Sequence, residues 1–220
     1  MAYMTLAANI GSGTTSYLET SSRTDTTQYG STLYTTYQFT AVAAAGWTFA
    51  RWEVRSRYSY SGSDGSYTGN WSSWSTMSTS ATATKVYECS SVSGGGIWGD
   101  TQSWYDREVR AVFTQNSYTI SVSVGTGSPN NSGTVSGGGS FHYGDSCTVT
   151  ATPNAGFKFI KWTATDSAQA AEVSASSSYT FNVTGNATFY AHFKSATGKL
   201  LHGASGTLLH GASGTLLHDA

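Results

Sequence analysis

The chain has 220 residues, a formal net charge of −1 and only 10% charged residues. That balance leaves no electrostatic footprint for nucleic acid or for insertion at an anionic membrane. With 14% aromatic residues, so few charges also argue against disorder, and the length suits one large or two small domains.

Glycine (25 residues), Ser and Thr dominate, while 14 Tyr, 9 Phe and 7 Trp take the place of a Leu/Ile core. β-Branched and aromatic residues alternate with Ser and Thr and are broken by Gly, which predicts an all-β chain. No stretch approaches the ~20 apolar residues of a membrane-spanning helix. The opening residues 1–9 (MAYMTLAAN) lack the basic start and long apolar core of a secretory signal. Either a leader has been removed or the chain is made and assembled in the cytoplasm. Two cysteines, Cys89 and Cys147, make no disulfide framework; a bridge between the two halves stays open, and their spacing does not support it.

From the N-terminus onward, four blocks recur in the same order. Residues 5–13 (TLAANIGSG) answer 119–127 (TISVSVGTG), and 28–31 (QYGS) answer 142–145 (HYGD). Residues 39–52 (FTAVAAAGWTFARW) answer 149–162 (VTATPNAGFKFIKW), and 109–113 (VRAVF) answer 189–193 (FYAHF). Four blocks in one order mark an internal duplication. In the second copy Ile120, Val122 and Val124 alternate with Thr119, Ser121 and Ser123, the period of a half-buried strand. Cys147, Val149 and Ala151, and then Phe189, Ala191 and Phe193, repeat that alternation. Gly46 and Gly156 precede matching aromatic strands and predict a turn that needs positive φ or close packing.

The second copy resembles the divergent internalin-B-type B-repeat. The likeness runs over about 118–194 and is carried by the Gly-rich turn at 134–139, Tyr143-Gly144, the block 149–162 and the closing Ala191-His192-Phe193. Over 4–114 it is looser, because the central block lacks its Pro and an insertion separates Trp52 from Val109. The resemblance implies small β-rich modules, β-sandwich or β-grasp-like. Such modules are often tandem, occur on bacterial surface proteins and phage structural proteins, and are not an enzyme family.

The insertion, about 55–104, carries Tyr58, Tyr60, Tyr67, Trp71, Trp74, Trp98 and Trp104 among Ser, Gly and Thr. Exposed Trp and Tyr stack on sugar rings or anchor protein interfaces, which makes Trp71, Trp74, Trp98, Trp104, Tyr58 and Tyr60 the candidate ligand-binding residues. Packing within the insertion, or a subunit contact, is the simpler role. A search for chemistry finds no nucleophile elbow, no zinc-protease helix, no phosphate-binding Gly loop and no acidic calcium loop. Gly144-Asp-Ser-Cys147 matches the start of an esterase motif but lacks the distal Asp-x-x-His that chemistry requires. The expectation is a protein that is not an enzyme and uses no cofactor.

The tail, 198–220, repeats the octad GTLLHGAS. Leu200, Leu201, Leu208, Leu209, Leu216 and Leu217 recur eight apart, as do His202, His210 and His218. So strict a period predicts stacked copies of one small unit, whose short strands cannot bury their leucines alone. The tail resembles the Gly-punctuated repeats of trimeric phage fibres, which implies self-association through the six leucines. The histidines would then lie at common levels, where hydrogen bonding to water is the simpler role and metal binding the alternative.

The sequence therefore predicts a module at 1–115 bearing the insertion, a second module at 116–195 and an oligomerisation tail at 196–220. The predicted function is a homo-oligomeric, trimeric fibre or decoration subunit of a phage-like particle with an adhesion role, located in a virion or other extracellular assembly. Its partners are itself, other particle or surface proteins, and a glycan. The alternative is a bacterial cell-surface or filament adhesin that binds host or matrix glycans.

Overall fold

The structure, a computed structural model, describes residues 4–27, 30–63, 65–93, 101–196, 209–210 and 216–217. The chain divides into two compact units, Met1–Asn116 and Ser117–Ala220. Every regular element among the described residues is a β-strand.

The first unit contains β1 (Met4–Leu6), β2 (Gly13–Thr27), β3 (Gly30–Ala43), β4 (Trp47–Gly62), β5 (Gly65–Thr68), β6 (Ser75–Ser78), β7 (Thr82–Ser93) and β8 (Thr101–Gln115). They form one 8-stranded sheet in the order β2-β3-β7-β8-β4-β5, with β1 parallel to β8 and β6 alongside β4. The second unit contains β9 (Ser117–Val124), β10 (Gly133–Ser136), β11 (Gly139–His142), β12 (Ser146–Pro153), β13 (Phe157–Thr163), β14 (Glu172–Ser174), β15 (Ser178–Asn182) and β16 (Ala187–Ser195). Here the strands separate into two sheets, β10-β12-β15 and β11-β9-β16-β13-β14. One core of Ile120, Cys147, Val149, Ala151, Trp162, Val183, Phe189, Ala191 and Phe193 is drawn from both sheets. That is a β-sandwich.

The two units share a pairing scheme. An N-terminal strand lies parallel to the last strand in each, β1 on β8 and β9 on β16. The last strand then pairs antiparallel with β4 or β13, each of which carries β6 or β14 on its far side. The remaining hairpins correspond as well, β2-β3-β7 with β10-β12-β15. An irregularity recurs too: the register slips between Phe49 and Arg51, and again between Phe159 and Lys161. Phe49 meets Phe113 at 5.9 Å and 76°, and Phe159 meets Phe193 at the same distance and angle. Each bulge turns its aromatic pair into the core and re-aims the strand, the usual effect of one extra residue on one side of a ladder.

Glycine is required at matched places. Gly46 and Gly156 have φ of 75° and 81°, so the turn into the aromatic strand demands left-handed backbone. Gly13 and Gly133 face the closing phenylalanines: a Cβ would stand 2.4 Å from Phe113 and 2.6 Å from Phe193.

The register corrects two of the sequence alignments. Leu6 lies opposite Val109 and Val122 opposite Phe189, so the first block answers 116 positions later, not 114. Its Thr5 matches Ser121 rather than Thr119. Gly30 and Ser31 are the first residues of β3, whereas Gly144 and Asp145 lie in the turn before β12. The short Tyr-Gly likeness therefore joins places that do not correspond.

The residues read as one insertion do not form a separate lobe. β6 and the start of β7 belong to the shared scaffold, and the extra length is distributed over three hairpins. β2 and β3 pair on to Thr27 and Gly30, β4 and β8 on to Ser61 and Gln102, and Ser90–Ser93 of β7 reach Thr101–Trp104 of β8. The last pairing joins the two sheets that unit 2 keeps apart, and the lengthened strands form an arm. Cys89 and Cys147 are both free and buried, each in its own unit's core.

Candidate functional site: two faces of the arm

Strand alternation sorts the arm's side chains onto two faces. On one face, Glu53 lies opposite Arg110, Arg55 opposite Glu108, and Arg57 opposite Asp106. All three cross-strand pairs are closed: Glu53 Oε2 is 2.8 Å from Arg110, Arg55 Nε donates to Glu108 at 2.7 Å, and Arg57 Nε to Asp106 at 2.8 Å. Arg51 adds a second bond to Glu53 at 2.7 Å. Burial on its own would push the Glu53 carboxyl up, but the guanidiniums of Arg110 and Arg51 outweigh it and hold the group below its ordinary value.

The segment leading into β6 folds over this ladder. Trp74 covers Arg110 at 4.1 Å and Arg55 at 4.8 Å, and Trp71 covers Arg57 at 4.9 Å and Arg55 at 5.0 Å. Each indole face thus meets two cations, an electrostatic attraction that strengthens as water is excluded. Ser72 ties the segment down, its backbone N–H bonding to Ser56 O at 2.8 Å.

The opposite face continues the hydrophobic core outward. Phe39 packs on Trp52 at 5.6 Å, Tyr37 on Phe39 at 6.2 Å and Tyr87 on Tyr37 at 6.4 Å. Arg107 then sits between Tyr87 and Tyr105, 4.6 and 5.1 Å from their rings, and donates to Glu88 O. Tyr58 meets Tyr105 at 5.3 Å and Tyr60 at 6.3 Å, and Tyr60 stacks on Tyr67 at 5.8 Å and 28°. The inner end is buried, with Phe39 0% exposed, while the outer end carries Tyr58 at 40% and Tyr67 at 54%, with Tyr60 half-buried between them. At its inner end, burial and then the Cys89 thiol push the Tyr37 phenol well above its ordinary value.

Among its described residues the second unit has no such arm, and its sequence matches a known family profile. Residues 120–197 match the sequence profile of the divergent InlB B-repeat domain. No curated protein and no solved structure matches the chain. The B-repeat match covers the second unit from β9 to the end of β16; the first unit lies outside it and shares the pairing scheme.

The predicted ligand residues fall in different places. Trp71 and Trp74 are the half-buried cover of the arginine ladder. Trp104 is half-buried too, opposite Ser59 on the ladder face and Ser90 of β7. Tyr58 and Tyr60 lie on the other face. Trp98 lies outside the described residues, as do Leu200, Leu201, Leu208, His202 and His218 of the tail. The remaining tail residues form a two-stranded pairing, Leu209 opposite Leu217 and His210 opposite Leu216. Sequence reasoning named Tyr67 in the insertion without making it a site residue, left out Tyr105 and missed the ladder. Its signal was present: Arg51, Glu53, Arg55 and Arg57 recur every second residue, as do Asp106, Glu108 and Arg110.

Proposed function

We propose that the chain is a non-enzymatic structural protein with an adhesive role, a homo-oligomeric fibre or decoration subunit of a phage-like particle. The observation that carries this reading is the pairing scheme that the two units share. Two units repeat one pairing scheme down to the same bulge, and what distinguishes the first is an arm that presents aromatic side chains at its surface. Extension of an existing scaffold, with its added charges paired among themselves, suits display. The octad tail supplies self-association: burying one Leu stabilises by about 1.5–3 kcal/mol, so six leucines per chain can offset the ordering of so short a segment.

A second reading, a bacterial cell-surface adhesin, is favoured by the family match, since B-repeat domains are typically extracellular or on the cell surface. Light scattering on the full chain and on a chain with all six tail leucines changed to Ser tests the assembly. A trimer or larger species that falls to monomer while β-structure is retained supports the fibre reading. A monomer in both cases, or an oligomer that survives, removes the tail as organiser and leaves the surface-adhesin reading.

A further inference from the structure

We infer that the tyrosine face of the arm is a binding site for a neutral polysaccharide, formed by Tyr105, Tyr58, Tyr60 and Tyr67. The inference rests on the adhesive reading above and names its ligand class.

The four rings form one continuous strip. Tyr58 lies directly opposite Tyr105, and Tyr60 directly opposite Tyr67, so two cross-strand pairs stand two residues apart on one face. Inward, the strip is anchored on the core through Arg107 and Tyr87. Outward it ends at the pair Gly62 and Gly65, and a Cβ built on Gly65 would meet nothing within 4 Å. Among the described residues the outer end is therefore open, and the two outermost pairs each keep an exposed ring, Tyr58 and Tyr67.

Charge decides what fits. On β4 and β5, and on the part of β8 facing them, the ionisable residues Arg51, Glu53, Arg55, Arg57, Asp106, Glu108 and Arg110 alternate onto the other face. Arg107 is the exception and is held at the inner end between two rings. What remains around the rings is Ser56, Ser103 and glycine. Among the described residues of β4, β5 and β8, an anionic ligand finds no cation on the open part of this strip, and a protein partner finds no aliphatic side chain to bury. A neutral glycan presents apolar C–H faces that pack on aromatic rings, together with hydroxyls that match phenol and serine hydroxyls. Side chains with few rotatable bonds also lose little entropy when they engage.

The test uses the full chain and a panel of neutral hexaoses (cello-, xylo-, manno- and chitohexaose), with heparin as the anionic comparison, read by calorimetry. Binding to at least one neutral oligosaccharide is expected, weakened about tenfold by Tyr67→Ala and little changed by Tyr67→Phe, which keeps the ring. Leu18→Ser, at a 62%-exposed position on β2, should leave binding unchanged. Absence of binding across the neutral panel, binding to heparin alone, or equal affinity in Tyr67→Ala overturns the inference. Tyr67→Ala leaves the tail leucines untouched, so the oligomer mass of the same samples reports on the structural reading separately.

Discussion

Trp52 and Trp162 hold the same place in the two units, yet only one of them has an acceptor for its indole. Trp52 Nε1 donates to Ala81 O at 3.3 Å, whereas Trp162 Nε1 is buried without a partner. Both side chains are 0% exposed. Their aromatic neighbours match as well, with Phe49 5.8 Å from Trp52 and Phe159 5.7 Å from Trp162.

Replacing either Trp by Phe removes similar packing, so the difference isolates the hydrogen bond. Trp52→Phe loses a made bond, while Trp162→Phe removes an orphaned donor. The first should cost more than the second by about 1 kcal/mol, measured by urea denaturation of the two single variants. Equal losses would mean that the Trp52 hydrogen bond adds nothing over an unpartnered indole N–H.

Glu53 ties Arg110 to Arg51 beneath the tryptophan cover. Glu53→Gln leaves two guanidiniums short of their carboxylate and should destabilise the first unit by roughly 2–4 kcal/mol, discounted from a fully buried pair because Arg51 is partly exposed. The folded carboxyl lies below its ordinary 4.5, so its contribution is full above that pH and is lost as pH falls through the folded value. Thermal unfolding from pH 7 to 3 should show this acid loss in the parent chain and less of it in the variant.

His192 carries the opposite burden in the second unit. Thr163 gives its hydroxyl hydrogen to Thr165 O at 2.7 Å and so accepts from His192 Nε2–H at 2.9 Å, which leaves Nδ1 as a buried lone pair without a partner. Burial first, then the charge of Lys161, lowers the imidazole below its ordinary 6.5, against a smaller opposing pull from Asp166. The unfolded chain therefore binds the proton first: stability is full above pH 6.5 and falls as pH drops from there to the folded value. His192→Gln, which keeps a donor to Thr163, should flatten that segment of the pH–stability curve; an unchanged slope would place the proton elsewhere.

Gly13 and Gly133 offer a matched steric test. Alanine at either drives a methyl into the ring of Phe113 or Phe193 and should cost about 1–3 kcal/mol, in line with overpacking of a filled core. Gly185, where an added Cβ meets nothing within 4 Å, is the control and should shift the melting temperature little.

Much of the scaffold was legible in the sequence because its signals are local. Period-two alternation at 119–124 and the aromatic blocks ending in Trp52 and Trp162 specify strands and a core face without reference to distant residues. The likeness of 39–52 to 149–162 was legible for the same reason. The arm was not, because its length is set by which strand reaches which partner. Ser90 pairs with Trp104, and Thr27 with Gly30, through ladders that Ser- and Thr-rich segments do not announce. Hence 55–104 looked like one inserted piece. The role of the tryptophans was open for a related reason: Trp71 and Trp74 could pack or bind a ligand until Arg55, Arg57 and Arg110, from two other strands, were placed beneath them. The tyrosines that stay open were partly in view, with Tyr58 and Tyr60 among the candidates and their cross-strand partners Tyr105 and Tyr67 absent from them.

In each unit the first strand lies beside the closing strand of the core and runs parallel to it, β1 with β8 and β9 with β16. Tension applied through the chain ends pulls such neighbours past each other lengthwise. The slanted hydrogen bonds of a parallel ladder, Ala187 to Ala191 against Ile120 to Val124, are then strained together in shear instead of being peeled apart one by one. A tether built from these units would hold under a steady pull that would unzip a plain hairpin, and it would do so with the same strands that close its core.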